Sequence, residues 1–273
     1  MKVCFCLFAL LGLACAQQRQ PGQGVNFYSC DKEAALGAQL ANQVRRDTVP
    51  LASDPVREYV ERVGGLIAAH LPTGCPASFT FAVVTDETVT NEPMALPGGY
   101  IFVPAGLITA AQSEAEFAGM LAHAMAHVAE RHGTRTATRG ELVNMASVPL
   151  IFVGGWTGYA IRQGAGAAVP LGLLNFQRQF ELAADGTAVR TMAAAGYDPG
   201  AVVRYIERTQ SGRMPEVWSP LPPRDKRITA MEEAIAALPA AAYTAADGLA
   251  PIQAEVRRLV PQQPRRDPSL IDR

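Results

Sequence analysis

Residues 121–130 read Leu-Ala-His-Ala-Met-Ala-His-Val-Ala-Glu, which sets His123 and His127 four positions apart on an otherwise apolar run. At 100° per residue the two imidazoles stand about 40° apart on one helix face. They can therefore offer two nitrogens to a single tetrahedral metal ion. Helical pairs of this kind also arise by chance, so the pair alone is weak evidence. The helix has a written start: Ser113-Glu114-Ala115-Glu116 is a capping box, with Glu116 able to reach back to the free amides. It is expected to run through His132 and stop at Gly133, with another helix over 135–147.

A second helix, over about 175–195, adds the carboxylates. Glu181 lies on an apolar face of Phe-Glu-Leu-Ala-Ala-Asp, with Asp185 one turn later. A carboxylate buried there needs a partner, and a metal ion is a good one. Asp185 could then accept the outer N–H of a ligand histidine and fix its tautomer. The alternative is a surface Glu and Asp on an amphipathic helix.

Elsewhere, three- and four-residue spacing of apolar positions predicts helices over 31–47 and 54–71, and alternation predicts a strand over 78–85. A Pro-Gly-Gly turn at 97–99 precedes a short strand, Tyr100–Val103, and shorter helices are expected near 199–210 and 225–238. The stretch 148–174 is apolar but too broken by proline and glycine to span a membrane. It reads as a loop or hairpin near the site, with peripheral membrane contact as the lesser reading. The tail 261–273 reads as disordered.

The 273 residues are 49% apolar with a net charge of -1, enough chain for a substantial core. No lysine or arginine run exists to neutralise phosphates, which excludes a nucleic-acid partner.

The first 16 residues carry Lys2, an apolar run from Val3 to Leu13 and the small-residue end Ala14-Cys15-Ala16. They predict a secretory signal cleaved after Ala16; lipidation at Cys15, giving a lipoprotein, is the alternative. Either way the mature chain is expected outside the cytoplasm, in a periplasmic setting. Three of the five cysteines sit in this leader, leaving Cys30 and Cys75 as either one disulfide or two unrelated thiols. The expected organisation is a signal (1–16), a flexible tether (17–27), one domain (28–240) and a C-terminal segment (241–273).

Taken together, His123-Ala-Met-Ala-His127 and Glu181-Leu-Ala-Ala-Asp185 resemble the zinc metalloendopeptidase family that includes HtpX, BepA and the CAAX prenyl proteases. Further matches are residues 91–108 (NEPMALPGGYIFVPAGLI), Arg-Gln-Phe-Glu from Arg178, and residues 192–201 (MAAAGYDPGA). The resemblance covers about residues 28–235. It implies an α+β, mainly helical, zincin-type metallopeptidase domain with a small β-sheet. One Zn²⁺ per chain would sit on His123, His127 and Glu181, with Asp185 behind a histidine. The implied partners are polypeptide substrates or clients, misfolded or misassembled. The strand Gly99, Tyr100, Ile101 and Phe102 would be the edge that pairs with an extended substrate.

Two positions depart from that pattern. Leu221 stands where members with a self-inhibiting loop carry a histidine, so no plugging of the metal in that way is expected. Ala124 stands where the family has glutamate. That glutamate is not a ligand; it takes a proton from the attacking water and hands it to the departing amine. Glu116 is about 10 Å before His123 along the helix, and Glu130 lies beyond His127, so neither should replace it. His132, about 140° off the ligand face, reads as a helix C-terminal residue, and His70 as structural. The expectation is a zinc-binding chain with very weak or no peptide hydrolysis, or a pseudoprotease that holds client polypeptides.

Overall fold

A computed structural model describes residues 25–72, 74–75, 78–85, 91–142, 171–210, 221–243 and 247–260. The leader, most of the tether, residues 148–170 of the broken apolar stretch and the tail 261–273 lie outside the described residues. In chain order the elements are α1 (Cys30–Asp47), α2 (Asp54–Ala68), β1 (Thr80–Val84), β2 (Met94–Leu96), β3 (Tyr100–Pro104), α3 (Ala105–Ala110) and α4 (Glu114–Ala129). They continue with α5 (His132–Leu142), α6 (Leu171–Ala194), α7 (Gly200–Thr209), α8 (Arg224–Ala236) and α9 (Leu249–Leu259).

The fold is mainly helical with one small sheet, as the sequence predicts. Helix α4 is the axis: from Phe117 through Val128 every residue is buried, the signature of a helix enclosed on all sides. Helix α6 packs along it, α7 and α2 flank it, and β2 lies beside it. Close approach depends on a missing side chain. A Cβ on Gly119 would stand 2.6 Å from the Val202 side chain and 3.1 Å from Met192 Sδ. The Ser113 hydroxyl accepts the Glu116 amide at 3.2 Å, as a capping box requires, and Glu116 Oε2 reaches one residue further back to accept the Gln112 amide at 2.7 Å.

The sheet order is β1-β3-β2, with β1 parallel and β2 antiparallel to β3. Pro97-Gly98-Gly99 reverses the chain between β2 and β3, and Gly98 at φ 77 uses a conformation that L side chains rarely adopt. This order corrects the expected edge. Tyr100, Ile101 and Phe102 lie in the central strand, hydrogen-bonded on both sides, and Gly99 belongs to the turn. Their backbone cannot pair with an added chain. The edge beside α4 is β2, whose outer side pairs with no strand among the described residues.

Helix α4 also ends earlier than its sequence predicts. It stops at Ala129, Arg131 adopts φ 59, and α5 begins at His132. His132 is thus the first residue of a new helix rather than the last of α4. A non-glycine residue in the left-handed region is uncommon, and long-range contacts hold it. Arg131 Nε donates to Glu33 Oε2 at 2.7 Å, and its terminal nitrogen donates to the Tyr28 carbonyl. The Cys30–Cys75 disulfide is formed and fixes the start of α1 next to these partners. Helix α9 falls in the segment assigned beyond residue 240, yet it packs on α2 and α3 with Leu249 and Val256 buried. No helix among the described residues is long and apolar enough to cross a membrane.

Candidate metal centre

The packing of α4 against α6 brings three predicted residues to one point. His123, His127 and Glu181 are 5%, 7% and 1% exposed, and together they form a group able to hold a metal ion. The two imidazole Nε2 atoms stand 3.2 Å apart. Glu181 Oε2 is 3.3 Å from His123 Nε2, and Oε1 is 3.6 Å from His127 Nε2. Ligands at about 2.0–2.1 Å from a tetrahedral ion stand about 3.4 Å from one another. The three separations bracket that spacing, and Glu181 Oε2 has no hydrogen-bond partner among the described residues. The residues fit such an ion in both chemistry and dimension.

Electrostatics agree. Burial works against a charge on His123, but the Asp185 carboxylate and contacts with Asp185 and Glu181 outweigh it, pushing its pKa up to about 9. Burial also opposes ionisation of Glu181, and the two imidazoles overcome it, holding the carboxyl well below its ordinary range. The cluster is a cation trap.

Asp185 stands where the sequence predicts, its Oδ1 2.9 Å from His123 Nδ1. Its own partner was not legible in the sequence. Arg227 of α8 donates to Asp185 through Nε at 2.8 Å and through a terminal nitrogen at 2.6 Å, and both residues are 1% exposed. Burial opposes the Asp185 charge, but Arg227 holds its pKa below the ordinary value. The pair is 42 residues apart in the chain, and no local spacing signals it.

Behind His127 lies His132, which the sequence reads as a helix C-terminal residue. His132 Nδ1 is 3.2 Å from His127 Nδ1, and its ring stacks on Phe180 at 4.3 Å between centroids. Glu130 faces His132 and accepts the Thr187 hydroxyl, so it is turned away from the three-residue cluster. Gln177, one turn before Glu181, lines a small cleft with His127, His132, Phe180 and Glu181, and its Oε1 has no partner among the described residues. A second cleft, lined by Ala95, Leu96, Pro97, His127 and Arg131, runs between the β2 edge and the cluster. Ala124, 3% exposed beside His123, contributes only a methyl group.

The model of Peptidase family M48 matches residues 54–235, which includes every residue of the cluster. Curated relatives agree. The chain is 24% identical over 217 residues to the beta-barrel assembly-enhancing protease of Escherichia coli K12, covering 73% of this chain and 43% of that protein. The protein of the same name from Yersinia pestis is 25% identical over 234 residues, 80% of this chain and 47% of that protein. The mitochondrial metalloendopeptidase OMA1 of Schizosaccharomyces pombe is 30% identical over 188 residues, 66% of this chain and 53% of that protein. The chain spans about half the length of these relatives. With a matching family model over most of the folded residues and a buried His-His-Glu cluster at its centre, the chain belongs to Peptidase family M48.

Proposed function

We propose that this chain is a zinc metalloendopeptidase-like protein of the cell envelope that engages misfolded or misassembled polypeptides but cleaves them very weakly or not at all. His123, His127 and Glu181 hold one Zn²⁺, and Asp185 orients His123 from behind. The observation that carries the metal assignment is the set of three buried ligand atoms spaced 3.2, 3.3 and 3.6 Å apart. When bound, zinc supplies Lewis-acid polarisation of a carbonyl and lowers the pKa of water to about 7. The chain's residues must do the rest.

Here Ala124 is decisive. A methyl group can neither take a proton from water nor pass one to a departing amine. The nearby carboxylates are committed: Asp185 to His123 and Arg227, Glu130 to His132 and Thr187. Positioned acid–base help contributes about 10²–10⁴-fold to rate, and amide cleavage depends on it heavily. An extended polypeptide can add to the β2 edge, where the adjacent cleft leads to His127. The placement in the envelope is supported by the leader, by the Cys30–Cys75 disulfide, and by the beta-barrel assembly named in two relatives.

The test compares the chain as given with Ala124→Glu on unfolded casein, with zinc measured by elemental analysis. Both should carry one zinc, and only the variant should cleave, at a rate about 10²–10⁴-fold above the unsubstituted chain. Efficient, chelator-sensitive cleavage by the unsubstituted chain would overturn the proposal. Cleavage by neither would favour a dedicated client-binding role.

A further inference from the structure

Beside the Arg227–Asp185 pair behind His123, a second run of polar side chains leads into the ligand cluster. Thr187 of α6 donates to Glu130, Glu130 Oε2 is 3.2 Å from His132 Nε2, and His132 Nδ1 is 3.2 Å from His127 Nδ1. His127, His132 and Thr187 are buried, at 7%, 3% and 4% exposure, and the Glu130 side chain is 20% exposed. Two Nδ1 atoms at hydrogen-bond distance can share only one proton, so one ring donates and the other accepts. The direction follows from what lies at each end. The Glu130 carboxylate stands 3.2 Å from His132 Nε2 without hydrogen-bond geometry, but a bare lone pair facing an anion there is unfavourable, so the proton of a neutral His132 sits on Nε2. His132 Nδ1 is then a bare lone pair, and the proton between the rings belongs to His127 Nδ1. That leaves His127 Nε2 unprotonated and turned toward His123 Nε2 and Glu181.

We propose that His132 is a positioning residue for the metal centre, with Glu130 and Thr187 setting its tautomer so that His127 presents Nε2 as the ligand atom. The inference rests on His127 being a metal ligand. It replaces the carboxylate or carbonyl that usually backs a ligand histidine with a second imidazole, itself backed by a carboxylate. The two ligand histidines are thus held differently: His123 by Asp185 and Arg227, His127 by His132 and Glu130. The stack on Phe180 fixes the plane of the His132 ring, and Phe180 precedes the ligand Glu181, so α5 and α6 set this geometry together.

The test has two arms. In the zinc-loaded, unsubstituted chain, long-range ¹⁵N–¹H spectra should show protonated Nδ1 on His127, bare Nδ1 on His132 and protonated Nε2 on His132. In competition with a chromophoric chelator, His132→Phe, which keeps the stack but has no acceptor, should bind Zn²⁺ about 10–100-fold more weakly. His132→Asn, which returns an acceptor near the Nδ1 position, should recover most of that loss. Thermal midpoints of the metal-free variants separate this from general destabilisation, which would not be rescued selectively in affinity. A His132 ring protonated at Nδ1, or unchanged zinc affinity in His132→Phe, overturns the proposal. If a variant fails to fold, the spectra of the unsubstituted chain decide. If the unsubstituted chain binds no zinc, the metal assignment itself fails. Zinc bound with the other tautomer refutes only the role of His132.

Discussion

Glu114 and Glu181 are both glutamates on the paired helices at the centre of the fold, and both are 1% exposed. Their surroundings are opposite. Glu114 is fully engaged: Arg62 donates to both of its oxygens at 3.0 and 2.7 Å, the Tyr197 hydroxyl at 2.7 Å and the Gly248 amide at 2.9 Å. Those donors come from α2, α9's N-terminal approach and the turn before α7, so one carboxylate ties the scaffold together. Glu181 meets no N–H of that kind. It faces two imidazole nitrogens, and one of its oxygens has no hydrogen-bond partner among the described residues. Burying a carboxylate without its hydrogen bonds is costly. A fold able to satisfy Glu114 so thoroughly leaves Glu181 open where a cation fits, and the contrast separates a structural carboxylate from a ligand.

The largest expected effect divides the two by metal content. Glu181→Ala should lose stoichiometric zinc, whereas Glu114→Ala should fold and keep it, as read by elemental analysis of the purified proteins. Zinc loss from a folded Glu114→Ala chain would erase the distinction. Next in size is Arg227→Met, which leaves the Asp185 charge buried with only His123 beside it. Removing one partner of a buried pair costs about 3–5 kcal/mol, and urea unfolding should show a loss near the lower end of that range. A smaller change there would mean that His123 alone can balance Asp185.

Glu114→Ala should be milder. It orphans the buried Tyr197 hydroxyl, at about 1–3 kcal/mol, while the half-buried Gly248 amide can turn to water. Arg62 is 45% exposed and can return to water, so its share is small. The smallest effect is acid dependence. Burial pushes the Glu114 carboxyl up, but bonds from Arg62, Tyr197 and the Gly248 amide outweigh it and hold its pKa below 4.5. A lowered folded pKa means that its stabilisation is fully present above pH 4.5 and is lost as pH falls through the folded value. The thermal midpoints of the unsubstituted chain and Glu114→Ala should therefore converge as pH drops below 4.5. A gap that persists in acid would show that packing, not charge, explains the difference.

Much of this was legible in the chain. The four-residue spacing of His123 and His127, the capping box at Ser113–Glu116 and the Glu181–Asp185 turn are all local patterns, and a helix converts such spacing directly into a shared face. The end of α4 was not legible. Nothing near Arg131 calls for a left-handed residue, and the partners that hold it, Glu33 and the Tyr28 carbonyl, are 98 and 103 residues away. The same break turns His132 from a helix end into the residue behind His127. The role given to Tyr100–Phe102 failed for a related reason. Alternation identifies a strand but not its neighbours, and two partners flank β3.

By itself, then, the sequence determined the faces of its own helices, the ligand types they carry and the alanine at position 124. Only the tertiary structure decided which faces meet: α4 on α6 to close the cluster, α8 to bring Arg227 to Asp185, and β2 rather than β3 at the free edge. The reason is physical. Periodicity records which side of an element is apolar, whereas pairing between distant elements is set by packing over the whole core, which no short stretch of chain contains.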